Sequence, residues 1–193
     1  MHKREFIAAA LAAASVPAWA QQRRGTGGRG PALLTVTGAG VRSNRGPFDP
    51  VRDQMMAKQK LTFERAHAFD FAALAALPAR TIRPTLEYDN QPHRLAGPLL
   101  RDVLAAAGVT AHAGKLQMRA IDGYAPVIPV ADALKYGFIV ATHLDGQAMP
   151  LGGLGPLWAV YDADRHPDMA ARPVDQRFAQ CPWGLYHIDV QAG

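Results

Sequence analysis

The chain has 193 residues, and 49% of them are hydrophobic, enough for one domain with a core. Its net charge of +5 comes from lysines and arginines scattered along the sequence, with no basic helix and no aromatic ladder, so we do not predict a nucleic-acid partner. The single cysteine, Cys181, excludes an intramolecular disulfide and a cysteine-rich metal cluster.

The first 20 residues have the pattern of a secretory signal peptide. Lys3 and Arg4 precede an apolar run at 6–16, and residues 18–20 (Ala-Trp-Ala) fit the small-x-small cleavage pattern. The run is shorter than the roughly 20 apolar residues of a membrane span. We therefore predict a periplasmic or otherwise exported protein that is not embedded in the membrane.

Residues 21–31 (QQRRGTGGRGP) are too polar and too rich in glycine to be buried, which is typical of a flexible linker. The remaining chain, 32–193, is predicted to be one domain of short strands and short helices. Strands are predicted at 33–37, 63–69, 81–88, 93–95, 115–121, 138–144, 157–161 and 185–190. Helices are predicted at 51–60, 71–77 with Asp70 as N-cap, 98–107 and 130–135.

Four sequence blocks resemble the oxidoreductase molybdopterin-binding domain family, which has the fold of sulfite oxidase. They are 97–108 (GPLLRDVLAAAG), 122–129 (DGYAPVIP), 155–161 (GPLWAVY) and 182–190 (PWGLYHIDV). The resemblance covers roughly residues 31–190. It implies an α+β fold that is mostly β, with mixed sheets and short helices.

That family holds molybdenum through one cysteine thiolate, in a loop that follows a helix ending in Leu-Pro and a strand. The matching stretch here, 77–89 (LPARTIRPTLEYD), contains no cysteine. Cys181 lies about a hundred residues later and is interpreted as a half-buried, small apolar residue. We therefore expect no bound molybdenum.

The resemblance also implies that loops at the strand ends line a pterin cleft. A pterin ring is flat and has a donor and acceptor edge, so it binds well between an aromatic face and a carboxylate or amide. A glycine such as Gly155 would let the backbone approach a ligand closely. Trp158 can supply an aromatic face or can alternatively belong to the core. The predicted cofactor-binding residues are Asn44, Arg45, Tyr88, Asp89, Asp122, Tyr124, Gly155 and Trp158.

Other catalytic chemistry has little support in the sequence. The seven histidines lack the short spacing of metal ligands, and no nucleophile motif surrounds the two serines, so no catalytic or metal-binding residue is predicted. His187 alternates with Tyr186, Ile188 and Val190 in the last strand, which predicts a position on the wetter face of the sheet.

Three functions follow from the resemblance. The first is an exported pterin-binding protein without molybdenum, since a subgroup of this fold senses reduced pterins and signals to a membrane-bound cyclic-di-GMP enzyme. Its ligand would be a reduced pterin or molybdopterin, and its partner the periplasmic domain of a membrane signalling protein. The alternatives are a molybdopterin-dependent oxidoreductase and a ligand-free scaffold protein.

Overall fold

The computed structural model describes residues 30–110 and 112–193, so the predicted signal peptide and most of the predicted linker lie outside the described residues. The strands are β1 Leu34–Gly38, β2 Ala66–Phe69, β3 Ala79–Ile82, β4 Leu95–Pro98, β5 Lys115–Ala120, β6 Val127–Pro129, β7 Ile139–Ala141, β8 His143–Leu144, β9 Gln147–Ala148, β10 Trp158–Val160 and β11 Leu185–Gln191. The helices are α1 Gln54–Lys58, α2 Phe71–Ala75, α3 Leu100–Ala106, α4 Val130–Tyr136 and α5 Pro167–Ala170, with 3-10 turns at Ala163–Arg165 and Val174–Gln176.

The largest sheet has five strands in the order β2-β1-β11-β5-β6. Its central strand, β11, runs parallel to β1 and antiparallel to β5, so the sheet is mixed, as predicted. Apolar and β-branched residues on β1 and β11 pair across the sheet, with Val36 opposite Ile188, and both side chains are fully buried. Their burial places the hydrophobic core against this sheet.

Two smaller sheets complete the domain, one of four strands (β3-β4-β8-β9) and one of two (β10-β7). The strand predicted at 138–144 is interrupted at Thr142, whose N–H donates to the carbonyl of Ala96 on β4 (2.9 Å). Gly97 lets β4 approach β7 closely, because a Cβ at this position would stand 2.0 Å from the carbonyl oxygen of Val140. The β4–β7 approach therefore joins the two smaller sheets.

The helices begin and end largely where local signals indicate. Asp70 caps α2 as predicted, because its carboxylate accepts from the N–H of Ala73 (2.7 Å). Helix α4 ends at Gly137, which has a left-handed φ of 63°. Helix α3 begins at Leu100, whereas the helix was predicted to begin at Pro98, which belongs instead to β4.

The strands predicted at 81–88 and 93–95 are separated by a longer loop than residues 89–92, which the prediction leaves between them. Strand β3 pairs with β4 from Ala79 to Ile82, so residues 83–94 connect the two strands without continuing the ladder. The loop is closed by a bridge between Thr85 and Pro92 and by the N–H of Leu86, which donates to Gln91 (2.9 Å). This loop carries Glu87 and Tyr88 to the region described below.

The prediction for His187 is wrong, because its side chain is buried, with 2% of it exposed. The alternation predicted solvent on this face, but Thr35 and Thr37 on the neighbouring strand are buried as well. A register shift between Leu185 and His187 breaks the alternation, and the hydroxyl of Tyr186 donates to Gln59 at the end of α1 (2.9 Å). Both faces of the five-stranded sheet are therefore covered here.

Candidate functional site

A cavity of about 310 Å³ opens where three segments meet, at the lower end of the roughly 300–1,000 Å³ typical of ligand pockets. One wall comes from the loop at 83–94, the second from the turn between β5 and β6, and the third from the segment that precedes β11. The lining residues are Glu87, Tyr88, Ala120, Asp122, Tyr124, Asp175, Phe178, Ala179, Cys181 and Trp183. The cavity thus combines aromatic side chains with carboxylates.

The turn after β5 fixes Asp122 and Tyr124. The carboxylate of Asp122 accepts from the N–H of Tyr124 (2.9 Å), and Gly123 between them has a left-handed φ of 95°. The hydroxyl of Tyr124 donates to the carbonyl of Ala179, which ties the turn to the segment before β11. Two walls of the cavity are therefore held together by one side chain.

Tyr88 faces the cavity from the loop at 83–94 beside Glu87. Burial and the charge of Glu87 raise the pKa of Tyr88 to about 12. The phenol therefore stays protonated at neutral pH.

Cys181 and Trp183 form the third wall. Cys181 is buried rather than half-buried, with 3% of it exposed, and burial raises the pKa of its thiol. It is therefore a protonated thiol at neutral pH. Trp183 is 38% exposed and supplies an aromatic face. The fold brings both residues to the same cavity as Glu87 and Tyr88, although the sequence separates them by more than 90 positions.

Three of the predicted site residues, Tyr88, Asp122 and Tyr124, line this cavity together. Trp183 is not among the residues predicted from the sequence, although it belongs to one of the blocks that carry the resemblance. Trp183 lies two residues before the last strand, next to Gly184, which has a left-handed φ of 61°. A tryptophan next to a glycine at the start of a strand is the signal that indicates a loop residue at a strand end. The same reasoning selected Trp158.

Trp158 and Gly155 lie outside the cavity. Trp158 is 1% exposed and belongs to the core, where its indole N–H donates to the carbonyl of Cys181 (2.9 Å). It supports the cavity wall from behind. A Cβ at Gly155 would stand 2.5 Å from the carbonyl oxygen of Met149, so this glycine allows contact with the protein's own backbone.

Asn44 and Arg45 also lie away from the cavity. The side chain of Asn44 accepts from the N–H of Ala68 (2.7 Å) and donates to its carbonyl (2.9 Å), so it continues the edge of β2. Arg45 donates to the carboxylate of Asp53 (2.7 and 2.8 Å) and lies over the ring of Phe63. Both contacts hold the segment that packs beside β1 and β2.

Asp89 belongs to a charged cluster behind the loop at 83–94. His93 lies between Asp89 (2.9 Å) and Asp145 (2.7 Å), and these two carboxylates, Asp145 first, raise the pKa of His93. The N–H of Arg94 also donates to Asp145 (2.8 Å). The cluster fastens the loop that carries Tyr88 to the turn between β8 and β9.

Within the described ranges, no group of three or more histidine, cysteine, aspartate or glutamate side chains is arranged to hold a metal ion. Nor does that part of the chain contain a helix with the length and apolar character needed to cross a membrane.

No protein-family model matches this sequence, and no curated protein matches it. Among solved structures, the chain is similar to the sulfane dehydrogenase SoxCD from Paracoccus pantotrophus, with a TM-score of 0.53 and 14% sequence identity. The match covers 82% of this chain and 37% of that chain, so this chain spans about a third of its neighbour's length. The similarity confirms a sulfite-oxidase-like α+β fold.

Proposed function

We propose that this protein binds a pterin in the cavity between Tyr88, Tyr124, Trp183 and Asp122, without molybdenum. The observation that carries the proposal is the combination of aromatic faces with a carboxylate at one cavity of a sulfite-oxidase-like fold. The aromatic side chains suit the flat bicyclic ring. The carboxylate of Asp122 suits the 2-amino and ring N–H groups, because hydrogen bonds to a charged acceptor are about twice as strong as neutral ones.

The residues at the cavity do not fit a molybdenum centre of the kind that the fold family implies. Such a centre needs a cysteine thiolate, whereas the thiol here, Cys181, is buried among apolar groups with a raised pKa. The loop at 83–94 presents Glu87 and Tyr88 instead of a cysteine. A molybdopterin-dependent oxidoreductase therefore has weaker support than a pterin-binding protein.

Replacing Asp122 with asparagine should weaken pterin binding by about tenfold or more, since a charge-assisted hydrogen bond contributes roughly 1.5–3 kcal/mol. Asparagine can still accept from the N–H of Tyr124, so the turn should remain folded. Calorimetric titration of dihydro- and tetrahydropterins against both proteins gives the measurement.

Asp102→Asn is the matched control, because Asp102 lies on α3 outside the cavity. The pterin affinity of this variant should equal that of the wild-type protein. Equal affinity of Asp122→Asn and wild type would remove Asp122 from the site. If neither protein bound a pterin, the ligand-free scaffold would be the correct interpretation.

We further propose that the protein is exported to the periplasm and acts there as a pterin sensor for a membrane signalling protein. The support is the signal-peptide pattern of residues 1–20 together with the resemblance to the sensing subgroup. Protein purified from the periplasm should have the mass of a chain that starts at Gln21. A mass that includes Met1 would contradict cleavage.

A further inference from the structure

We infer, on the basis of the proposed function, that the cavity selects pterins without a phosphate group and rejects phosphorylated ones, including molybdopterin. The charge of the cavity wall carries this inference. Three of its lining residues are carboxylates, Glu87, Asp122 and Asp175, and among the described residues that line it there is no lysine, arginine or histidine.

The three carboxylates come from three separate segments, so they surround the cavity rather than form one cluster. Glu87 lies on the loop at 83–94, Asp122 on the turn after β5, and Asp175 on the 3-10 turn Val174–Gln176. None of the three belongs to an ion pair within residues 30–110 and 112–193. Their negative charge is therefore not neutralised by a neighbouring cation.

A phosphate monoester carries between one and two negative charges at neutral pH, and proteins bind it through arginine, lysine or backbone N–H groups. A wall of carboxylates instead repels it, because like charges a few ångströms apart oppose each other. A pterin with a free hydroxyl in its side chain has no such charge, and that hydroxyl can donate to a carboxylate.

The chain contains 21 lysines and arginines and 16 acidic residues, so the absence of cations from this wall does not reflect a general lack of them. Arg177 is the nearest arginine in sequence to Asp175, but its guanidinium is held by the carboxylate of Asp164 (2.7 Å) and the carbonyl of Ala170 (2.8 Å). The acidic character is thus local to the cavity.

A matched pair of ligands tests the inference: dihydroneopterin and dihydroneopterin monophosphate, which differ by one phosphate group. In low-salt buffer, the wild-type protein should bind the hydroxyl form at least tenfold more tightly. Raising the ionic strength from about 0.05 to 0.5 M should bring the ratio of the two affinities closer to one, because salt screens the repulsion between the phosphate and the carboxylates.

Asp175→Asn should reduce the ratio of hydroxyl-ligand affinity to phosphorylated-ligand affinity by threefold or more, because the phosphorylated ligand should bind more tightly. Asp175 is exposed on a short turn, so this substitution should leave folding intact. Asp102→Asn serves again as the control and should leave the ratio unchanged.

Equal affinity for the two ligands, or a preference for the phosphorylated one, would overturn the inference while leaving the proposed function standing. If neither ligand bound, the proposed function would fail, and the inference with it. A preference for the hydroxyl form that persisted unchanged in Asp175→Asn and Glu87→Gln would also overturn it, since the discrimination would not come from these carboxylates.

Discussion

Replacing Gly97 with alanine should lower the free energy of unfolding by about 3 kcal/mol or more, since overpacking at a site that cannot relax reaches the upper part of its usual range. The added Cβ would stand 2.0 Å from the carbonyl oxygen of Val140 and 2.8 Å from the Cα of Ala141. Both are backbone atoms of β7, so β4 and β7 must separate to accept it. Urea unfolding followed by circular dichroism measures the loss.

Gly46→Ala is the matched control, because a Cβ at Gly46 meets no atom within 4 Å and its φ is not in the left-handed region. Its unfolding free energy should stay within about 0.5 kcal/mol of the wild-type value. Equal stability of Gly97→Ala and Gly46→Ala would show that β4 and β7 are not packed as closely as described.

The wild-type protein should also lose about 2 kcal/mol of stability between pH 8 and pH 5 through one residue, His187. Burial is the main cause that lowers the pKa of His187 from 6.5 to about 4, and it outweighs the opposing effect of Asp189. The unfolded chain therefore takes up a proton below pH 6.5 that the folded protein does not accept. The stability that depends on neutral His187 is complete above pH 6.5 and falls as the pH drops towards 4.

The hydrogen bonds of His187 agree with a neutral ring. The hydroxyl of Thr37 donates its only hydrogen to Asp189 (3.0 Å), so it accepts from Nε2 of His187 (2.9 Å). Nδ1 is then the unprotonated nitrogen, and it is buried with no hydrogen-bond partner. A second proton would have to be placed at that buried nitrogen, which has no acceptor, and close to the positive charge of Arg119 on the neighbouring strand.

His187→Gln provides the test, because glutamine can donate to Thr37 but does not titrate. Urea unfolding at pH 8 and pH 5 should show the wild-type protein losing about 2 kcal/mol more than the variant. The same pH dependence in both proteins would contradict the assignment to His187.

Elements whose sequence contains a local capping or alternation pattern were predicted well. Asp70, which precedes an apolar run, caps α2 as predicted, and the alternation of Leu116, Met118 and Ala120 matches the buried side of β5. The resemblance led to the fold class and to Tyr88, Asp122 and Tyr124. These three residues lie in loops next to strands, which a sequence pattern can locate.

The rest of the cavity could not be predicted, because its walls come from distant parts of the chain. Trp158 begins β10 and Trp183 lies two residues before β11, and only their packing shows that the first is in the core and the second at the cavity. The buried position of His187 likewise depends on Thr37, its hydrogen-bond partner 150 positions earlier. Asn44 and Asp89 follow turn patterns, but their partners are backbone and histidine groups of the protein itself.

The central position of β11 has a consequence for the order of events during synthesis. Thr37 and His187, which lie on adjacent strands, are 150 positions apart in sequence. Until β11 has been made, β1 and β5 each have one edge without a pairing partner, so the five-stranded sheet cannot close on a growing chain. Such unpaired edges are prone to aggregation, so the nascent domain depends on staying unfolded or protected until its last strand arrives.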